Sequence, residues 1–273
     1  RGTKSRQEIP DFTRRSDEIG HLSGALRDMT QALYNLIDAI QSFAADVAHE
    51  LKNPLTSLRS AVETLPVART DATRERLMSI IQHDVRRLDR LISDISDASR
   101  LDAELARAEA EPIDMRRLIE AVVSLANERR RPHAAVIEVS CERGAPEAFT
   151  IIGHDSRLAQ VFNNLFDNAR SFAPPESVIR VAVARRGRDV EVTVEDEGPG
   201  IPPHALERVF ERFYTDRPDH GFGQNSGLGL SISRQIVEAH RGTIRATDRP
   251  RGVGGEEQRG ARFVVRLPAA RPT

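Results

Sequence analysis

Cysteine, tryptophan and long apolar runs are almost missing from this chain of 273 residues, which contains one cysteine and no tryptophan. A single thiol, that of Cys141, excludes an internal disulfide and a cysteine metal cluster, and it favours a reducing compartment. No stretch approaches the roughly 18–20 consecutive apolar residues that a membrane-spanning helix needs. With 39% hydrophobic and 30% charged residues, the composition is that of a soluble globular protein.

An excess of charge of one sign is also missing, since 40 basic residues almost balance 41 acidic ones. The formal net charge of −1 predicts no nucleic-acid partner, because surfaces that bind nucleic acid carry clustered positive charge. The length favours two domains with a helical lead-in over one small core. No signal peptide is visible and the chain starts with Arg1, so we expect a fragment of a longer protein.

Two long helical patterns occupy the chain up to about residue 108. The first begins near Ser16, a capping residue followed by acids, and runs to about Leu65 through Pro54, which should kink it locally. In the second, which starts at Asp71 or Thr73, apolar residues are spaced alternately three and four apart. The short turn between the patterns favours an antiparallel hairpin. One hairpin cannot bury so wide an apolar surface, so we expect a homodimer whose two hairpins form a four-helix bundle.

The first helical pattern contains a histidine that the helical period places on the outside. The buried stripe of this helix is predicted to consist of Leu33, Ile40, Val47, Leu51, Leu58, Val62 and Leu65. His49 lies about 200° around the helix from its nearest stripe residues, so its imidazole should face solvent. Asn53 lies one turn later on the same face. An imidazole beside the carboxylate of Glu50 suits a nucleophile, although a lone histidine of this kind is more often an ordinary surface residue.

Beyond about residue 109, short strands mix with helices. Helices are predicted at 115–130, 154–172 and 227–240, and strands at 135–141, 149–152, 178–184, 189–195, 242–247 and 261–267. The strand at 189–195 alternates valine with polar residues, which is the period of a half-buried strand. The fold class expected for the whole chain is therefore multidomain: a helical bundle followed by an α+β two-layer sandwich.

Four short motifs in this second region point to a nucleotide. Asn164 and Asn168 share one helix face, and an amide oxygen is a neutral, hard ligand suited to Mg²⁺ on phosphates. Asp196, at a strand end, can accept a hydrogen bond from an exocyclic amine such as that of adenine. Gly198 and Gly200 follow it and allow the backbone to approach a ligand closely.

The other two motifs are a glycine-rich segment and an aromatic cluster. Residues 221–230 run into a helix N-terminus, a place suited to phosphate, and they match neither a Walker A loop nor a dinucleotide fingerprint. The aromatic cluster, Phe210–Tyr214, precedes that segment. Each motif alone is weak, because a helix surface, a turn, a flexible linker and a core aromatic pair would look the same. Their order and spacing together favour a nucleotide site.

In this order the motifs resemble those of the sensor histidine kinases of two-component systems, over nearly the whole chain. The matching segments are His49-Glu-Leu-Lys-Asn-Pro for the H box, Asn164–Asn168 for the N box, Asp196–Gly200 and Gly227-Leu-Gly-Leu for the two G boxes, and Phe210–Phe213 for the F box. Residues 9–36, with Asp17-Glu-Ile-Gly20, resemble the end of a HAMP signalling module. The resemblance implies three parts: a HAMP end at 1–36, a dimerisation and phosphotransfer hairpin at 37–108, and an ATP-binding domain at 109–273.

The same resemblance implies that the chain phosphorylates His49 from ATP with Mg²⁺ and passes the phosphoryl group to an aspartate of a response regulator. Glu50 would be the general base, and Asn53 would orient water when the kinase dephosphorylates its regulator. Asn164 would hold Mg²⁺. The residues implied in ATP binding are Asn164, Asn168, Phe172, Asp196, Gly198, Gly200, Gly227, Leu228 and Gly229. The full-length protein would be anchored in the bacterial inner membrane with this part in the cytoplasm, and Glu109–Pro112 would be a hinge.

The chain departs from the family pattern in a few places. A basic residue usual three positions after Asn168 is replaced by Ser171, and whether Arg170 takes over its phosphate contact stays open. Arg241 stands where glycine is usual, and residues 249–259 form a polar insertion. Two other functions remain to be weighed. An ATPase of the gyrase, Hsp90 and MutL kind would need an acid at the position of Gln160, and a catalytically silent dimeric scaffold would not need intact motifs.

Overall fold

The computed structural model describes residues 10–12, 14–15, 17–107, 109–214, 227–248 and 260–270, with side chains omitted for 101–107. The chain divides into two compact units, one ending at Thr56 and the other beginning at Ser57. No helix among the described residues is long and apolar enough to cross a membrane. The insertion at 249–259 and most of the glycine-rich segment, 221–226, lie outside the described residues.

Helix α1 spans Glu18–Thr64 and passes through Pro54 without a break. Ser16, the expected capping residue, lies outside the described residues, and Asp17 Oδ1 accepts a hydrogen bond from the backbone N–H of Gly20 at 3.1 Å. The apolar stripe was expected to be buried in a dimer, and in one copy of the chain it is partly open. Its exposed members in the single chain are Leu33, Ile40 and Val62, each at least 54% exposed. The other four are half-buried, so one copy of the chain leaves much of this apolar surface open.

A short 3-10 turn, Leu65–Val67, leads to helix α2, Asp71–Arg107. Two apolar positions of α2, Val85 and Ile92, are exposed, whereas Leu91 is fully buried. Near its C-terminal end, Ile95 and Ala98 pack against the core of the α+β part of the same unit.

The described residues of the α+β part form two sheets. Strands β1 (Glu111–Asp114) and β3 (Thr150–Gly153) pair in antiparallel fashion. The remaining strands are β2 (Val136–Cys141), β4 (Val178–Arg186), β5 (Asp189–Glu195), β6 (Thr243–Asp248) and β7 (Ala261–Pro268). They form a five-stranded sheet in the order β2-β4-β5-β7-β6, in which only the β2–β4 pair is parallel. The predicted strands are confirmed to within two residues at each end.

Helices α3 (Met115–Glu128), α4 (Asp155–Phe172) and α5 (Gly229–Ala239) form the second layer. Neighbouring helices contact each other, and each contacts strands of the large sheet. The core between the layers includes Leu158, Phe162 and Leu165 of α4, all fully buried. The predicted two-layer sandwich is confirmed, and its central helix, α4, is the one that carries the asparagine motif.

Two features of this region were not expected from the sequence. The segment assigned as a hinge, Glu109–Pro112, contributes Glu111 and Pro112 to strand β1, where Pro112 lies opposite Ile152 of β3. A four-residue strand containing proline has no periodic signal, and its partner lies about 40 residues away. The strand β5 is buried on both faces, and on its polar side Glu191 Oε2 accepts a hydrogen bond from Arg266 Nε at 2.7 Å.

Candidate functional site

The imidazole of His49 is exposed on α1, as the helical period predicts. Its helix neighbour Glu50 is half-buried, and Asn53, one turn further on, is exposed. Pro54 is buried in the same turn, and the hydroxyl of Thr56 donates to the carbonyl oxygen of Lys52 at 2.8 Å. The helix therefore presents an imidazole and a carboxamide to solvent on one face, with a carboxylate beside them.

In the α+β part, Asn164 joins helix α4 to the start of α5. Its Nδ2 donates to the carbonyl oxygen of Gly229 at 3.0 Å and to the hydroxyl of Ser233 at 3.3 Å. A carbonyl oxygen can only accept, so the amide nitrogen must face Gly229 and the amide oxygen must face away from it. The structure thus brings the N-box asparagine against the second G box, two motifs about 65 residues apart in the chain.

The asparagine amide is the type of ligand that Mg²⁺ takes when it is bound to phosphates. Groups of three or more histidine, cysteine, aspartate or glutamate side chains that could hold a metal are not found in the part of the chain that the structure describes. The side-chain amide of Asn164 is a donor that fits a cation bound to phosphates.

The end of α4 shows how the unusual residues after Asn168 are used. Arg170 donates three hydrogen bonds, to the carbonyl oxygens of Ala135 and Ala126 and to Asn127 Oδ1, at 3.3, 2.9 and 3.0 Å. These bonds fasten α4 to α3 and to the start of β2, so Arg170 anchors the fold. The hydroxyl of Ser171 donates to the carbonyl oxygen of Asn168 at 2.6 Å. Three of the five N–H donors of Arg170 are therefore used within the fold.

Asp196 follows β5 and is almost completely buried, with 2% exposed. Its Oδ1 accepts hydrogen bonds from the backbone N–H of Gly198 at 2.8 Å and of Ala261 at 3.1 Å. These bonds hold the carboxylate in one orientation at the edge of the central strands. A buried carboxylate fixed in this way can accept a hydrogen bond from an amine with high selectivity.

Gly198 is required by close packing. A β-carbon at this position would lie 2.9 Å from Asp196 Oδ1 and 3.0 Å from the carbonyl oxygen of Phe172. The first G box therefore lies directly against the end of α4, where Phe172 is 38% exposed. Gly200, two residues later, has a φ of +81°, a backbone conformation that favours glycine.

The F box and the second G box meet at Phe213 and Gly227. The backbone N–H of Phe213 donates to the carbonyl oxygen of Gly227 at 2.9 Å. Both residues are left-handed, with φ of 61° and 74°. Phe210 is buried and contacts Phe263 edge-to-face, with ring centroids 6.3 Å apart, so this member of the aromatic cluster belongs to the core. Leu228, the next residue after Gly227, is also buried.

A histidine pair at the base of α4 and α5 is a structural feature that the motif analysis missed. His240 Nδ1 lies 2.7 Å from the carbonyl oxygen of Ile236, and its Nε2 accepts from the backbone N–H of His154 at 3.0 Å. The ring must therefore be neutral with its proton on Nδ1, and burial lowers the pKa of His240. Because the partners are 86 residues apart in sequence, no local signal reveals this bond.

Gln160 occupies the position at which gyrase-type ATPases would need an acid. Its Oε1 accepts from Arg157 Nη1 at 2.8 Å, and its Nε2 donates to Asp97 Oδ2 of α2 at 3.1 Å. A carboxamide cannot take a proton from water, and this one is held between two charged side chains. The geometry disfavours ATP hydrolysis by the gyrase-type mechanism.

Comparison with known families matches two segments of the chain. Residues 153–271 match the family described as histidine kinase-, DNA gyrase B-, and HSP90-like ATPase. Residues 39–104 match the His Kinase A (phospho-acceptor) domain. The first match covers the α4, β5 and α5 motifs, and the second contains His49.

Individual proteins are also similar. The chain is 58% identical to the sensor protein ChvG of Agrobacterium fabrum, over 99% of this chain and 46% of that protein. A solved structure of a mycobacterial sensor histidine kinase, MprB, is 30% identical with a TM-score of 0.50, covering 60% of this chain and 99% of that one. The histidine kinase ThkA, solved in complex with the response regulator TrrA, matches with a TM-score of 0.67 at 24% identity. The match covers 87% of this chain and 64% of that one, and at this identity it supports only the similarity of the fold. The chain spans about half the length of the curated relatives it matches.

Proposed function

Because the chain belongs to the sensor histidine kinases, we propose that it phosphorylates its own His49 from ATP and passes the phosphoryl group to an aspartate of a response regulator. The observation that carries this proposal is the exposed imidazole of His49 in a chain that also joins its N box to its second G box through Asn164. A chain with both features would carry a phosphoryl acceptor and a nucleotide site of its own.

In the proposed reaction, a nitrogen of the neutral His49 ring attacks the γ-phosphorus of ATP. A nitrogen–phosphorus bond forms while the bond from that phosphorus to the bridging oxygen breaks, and ADP leaves. Glu50, the neighbouring carboxylate, accepts the imidazole proton. In the second step the nitrogen–phosphorus bond breaks while the phosphorus bonds to a carboxylate oxygen of the regulator, and the proton held by Glu50 returns to the ring. Catalysis of both steps depends mainly on positioning and charge neutralisation.

The nucleotide would be held by groups that the fold already orients. Asp196, fixed by two backbone N–H groups, would accept a hydrogen bond from the exocyclic amine of adenine. Asn164 would supply an amide oxygen to Mg²⁺, which when bound neutralises charge on the phosphates. Asn168, Phe172, Gly200, Gly227 and Leu228 would complete the site, as members of the same motifs.

The test of the acceptor is incubation of the chain with γ-labelled ATP and Mg²⁺. Wild type and His21→Gln should take up label that is labile in acid and stable in base, because His21 is another exposed histidine on α1. His49→Gln should take up none. Equal labelling of His49→Gln would refute the proposal.

The test of the nucleotide site compares two neighbouring asparagines of α4. Asn164→Ala should lose labelling and Mg²⁺-dependent nucleotide binding, whereas Asn163→Ala, at an exposed position, should keep both. Unchanged binding by Asn164→Ala would remove the Mg²⁺ assignment.

Regulator dephosphorylation is the second proposed activity. Asn53 shares the exposed face of His49, so its carboxamide would orient the attacking water. Asn53→Ala should keep its own label but release phosphate from a phosphorylated receiver domain more slowly than Asn35→Ala, a control at another exposed position of α1. Equal release rates would contradict this role.

We also propose a homodimer anchored in a bacterial inner membrane, with this part in the cytoplasm. The apolar side chains of Leu33, Ile40 and Ile92 are each 54–56% exposed in the single chain, and a second copy would cover them. The anchor would lie in the half of the relatives that this chain does not span. A molecular mass of one copy in light scattering would refute the dimer.

A further inference from the structure

Ser233 lies in the second turn of α5 and is fully buried. Its hydroxyl donates to the carbonyl oxygen of Gly229, one turn earlier, at 2.8 Å. A hydroxyl has one proton, so this bond leaves the Ser233 oxygen able only to accept. That oxygen lies 3.3 Å from Asn164 Nδ2, and the Gly229 oxygen lies 3.0 Å from the same nitrogen. The two protons of the amide nitrogen therefore have two acceptors on one side.

These two acceptors decide which way the amide of Asn164 is turned. In the flipped orientation, Oδ1 would face the carbonyl oxygen of Gly229 and a hydroxyl whose proton is already used. Oδ1 would then face two other oxygen atoms, and the one proton among the three oxygens would be that of the Ser233 hydroxyl. The observed orientation is therefore strongly favoured, and it directs Oδ1 away from α5.

We propose that Ser233 is a positioning residue which, together with the Gly229 carbonyl, holds Asn164 so that Oδ1 is available to Mg²⁺. This inference rests on the proposed function, since it gives Asn164 the role of a metal ligand. A residue that hydrogen-bonds to a metal-ligating side chain fixes the orientation of that side chain, so less side-chain motion is lost when the metal binds. Ser233 acts only through Asn164 and touches neither the metal nor the nucleotide.

Ser231 provides a matched control on the same helix. It is also buried, with 7% exposed, and its hydroxyl donates to the carbonyl oxygen of Leu228 at 2.8 Å. Both serines thus bond to a carbonyl of the preceding turn, but only Ser233 also accepts from Asn164. If the only role of Ser233 were the hydrogen bond from its own hydroxyl to the helix, its alanine variant would behave like that of Ser231 in every assay.

The experiment titrates a fluorescent ADP analogue into the full chain at a series of Mg²⁺ concentrations and in EDTA. Ser233→Ala should need about tenfold more Mg²⁺ for half-maximal nucleotide affinity, the low end of such effects because the Gly229 acceptor remains. Ser231→Ala should keep the wild-type requirement. In EDTA the two variants should bind nucleotide equally. Ser233→Thr, which retains a hydroxyl, should restore the wild-type requirement, with melting curves used to check that each variant is folded.

A second readout needs neither metal nor nucleotide. The side-chain amide resonances of Asn164, assigned by their loss in Asn164→Ala, should shift in Ser233→Ala and stay in place in Ser231→Ala. An equal Mg²⁺ requirement in the two serine variants, or unshifted resonances in Ser233→Ala, would overturn the positioning role while leaving the proposed function intact. A wild-type chain without Mg²⁺-dependent nucleotide binding would overturn both.

Discussion

Arg241 ends helix α5 in a conformation that suits glycine, with a φ of 59°. Its backbone N–H donates to the carbonyl oxygen of Glu238 at 2.8 Å, and that of Gly242 donates to Val237 at 2.9 Å, so the helix ending depends on this conformation. A side chain there costs roughly 1–2 kcal/mol. Glycine in turn destabilises the folded state by about 0.5–1 kcal/mol, because it loses more conformational entropy on folding than other residues do. Arg241→Gly should therefore raise the free energy of unfolding by about 0.5–1 kcal/mol.

The assay is thermal and urea unfolding followed by circular dichroism. A gain of this size should raise the melting temperature of the α+β part by about 1–4 °C. Arg241→Ala is the control, because it removes the same exposed side chain and charge but keeps a β-carbon; it should stay within about 0.5 kcal/mol of wild type. If Arg241→Gly is no more stable than Arg241→Ala, the strain argument is wrong.

Three further predictions concern other residues of the α+β part. Protonated His240 cannot accept the hydrogen bond from the backbone N–H of His154, and burial lowers the pKa of His240 in the folded chain. The stability that the ring contributes is therefore fully present above the unfolded-state pKa of about 6.5. It is lost as the pH falls from there toward the lower pKa of the folded state. Melts between about pH 7.5 and 5.5 should show a steeper loss in wild type than in His240→Gln, and parallel curves would contradict this reasoning. Gly198→Ala would place a β-carbon 2.9 Å from Asp196 Oδ1, and nucleotide titration should show affinity lowered about tenfold, equivalent to about 1.4 kcal/mol; unchanged affinity would count against Asp196. Gly227→Ala would place its β-carbon 2.7 Å from Phe213 Cα, so unfolding experiments should show a loss of about 1–3 kcal/mol, and a neutral result would show that the F box can move away.

Features with a local signal could be predicted well from the sequence. The exposure of His49 follows from the period of one helix, since two residues correspond to about 200° whatever the helix packs against. The strands and helices of the α+β part follow from their apolar periods, and their predicted ends differ little from those observed. Strand β1 escaped prediction because its four residues become a strand only through pairing with β3.

The same contrast applies within the site. The asparagine and aspartate motifs could be recognised because each is a short run of residue types whose chemistry is known in advance. The sequence does not indicate what holds them. Asn164 donates a hydrogen bond to Ser233, about 70 residues later, and Arg170 is fastened to α3, about 44 residues earlier.

By itself, then, the amino-acid order determined which residues can do chemistry here: an outward imidazole on a helix, amides on another helix, and a carboxylate after a strand. Tertiary structure alone decided how those groups are turned and anchored, as at Asn164 and His240. The physical reason is that a helical or strand period depends on neighbours within a few positions, whereas the direction of a hydrogen bond depends on whichever acceptor folding brings within about 3 Å.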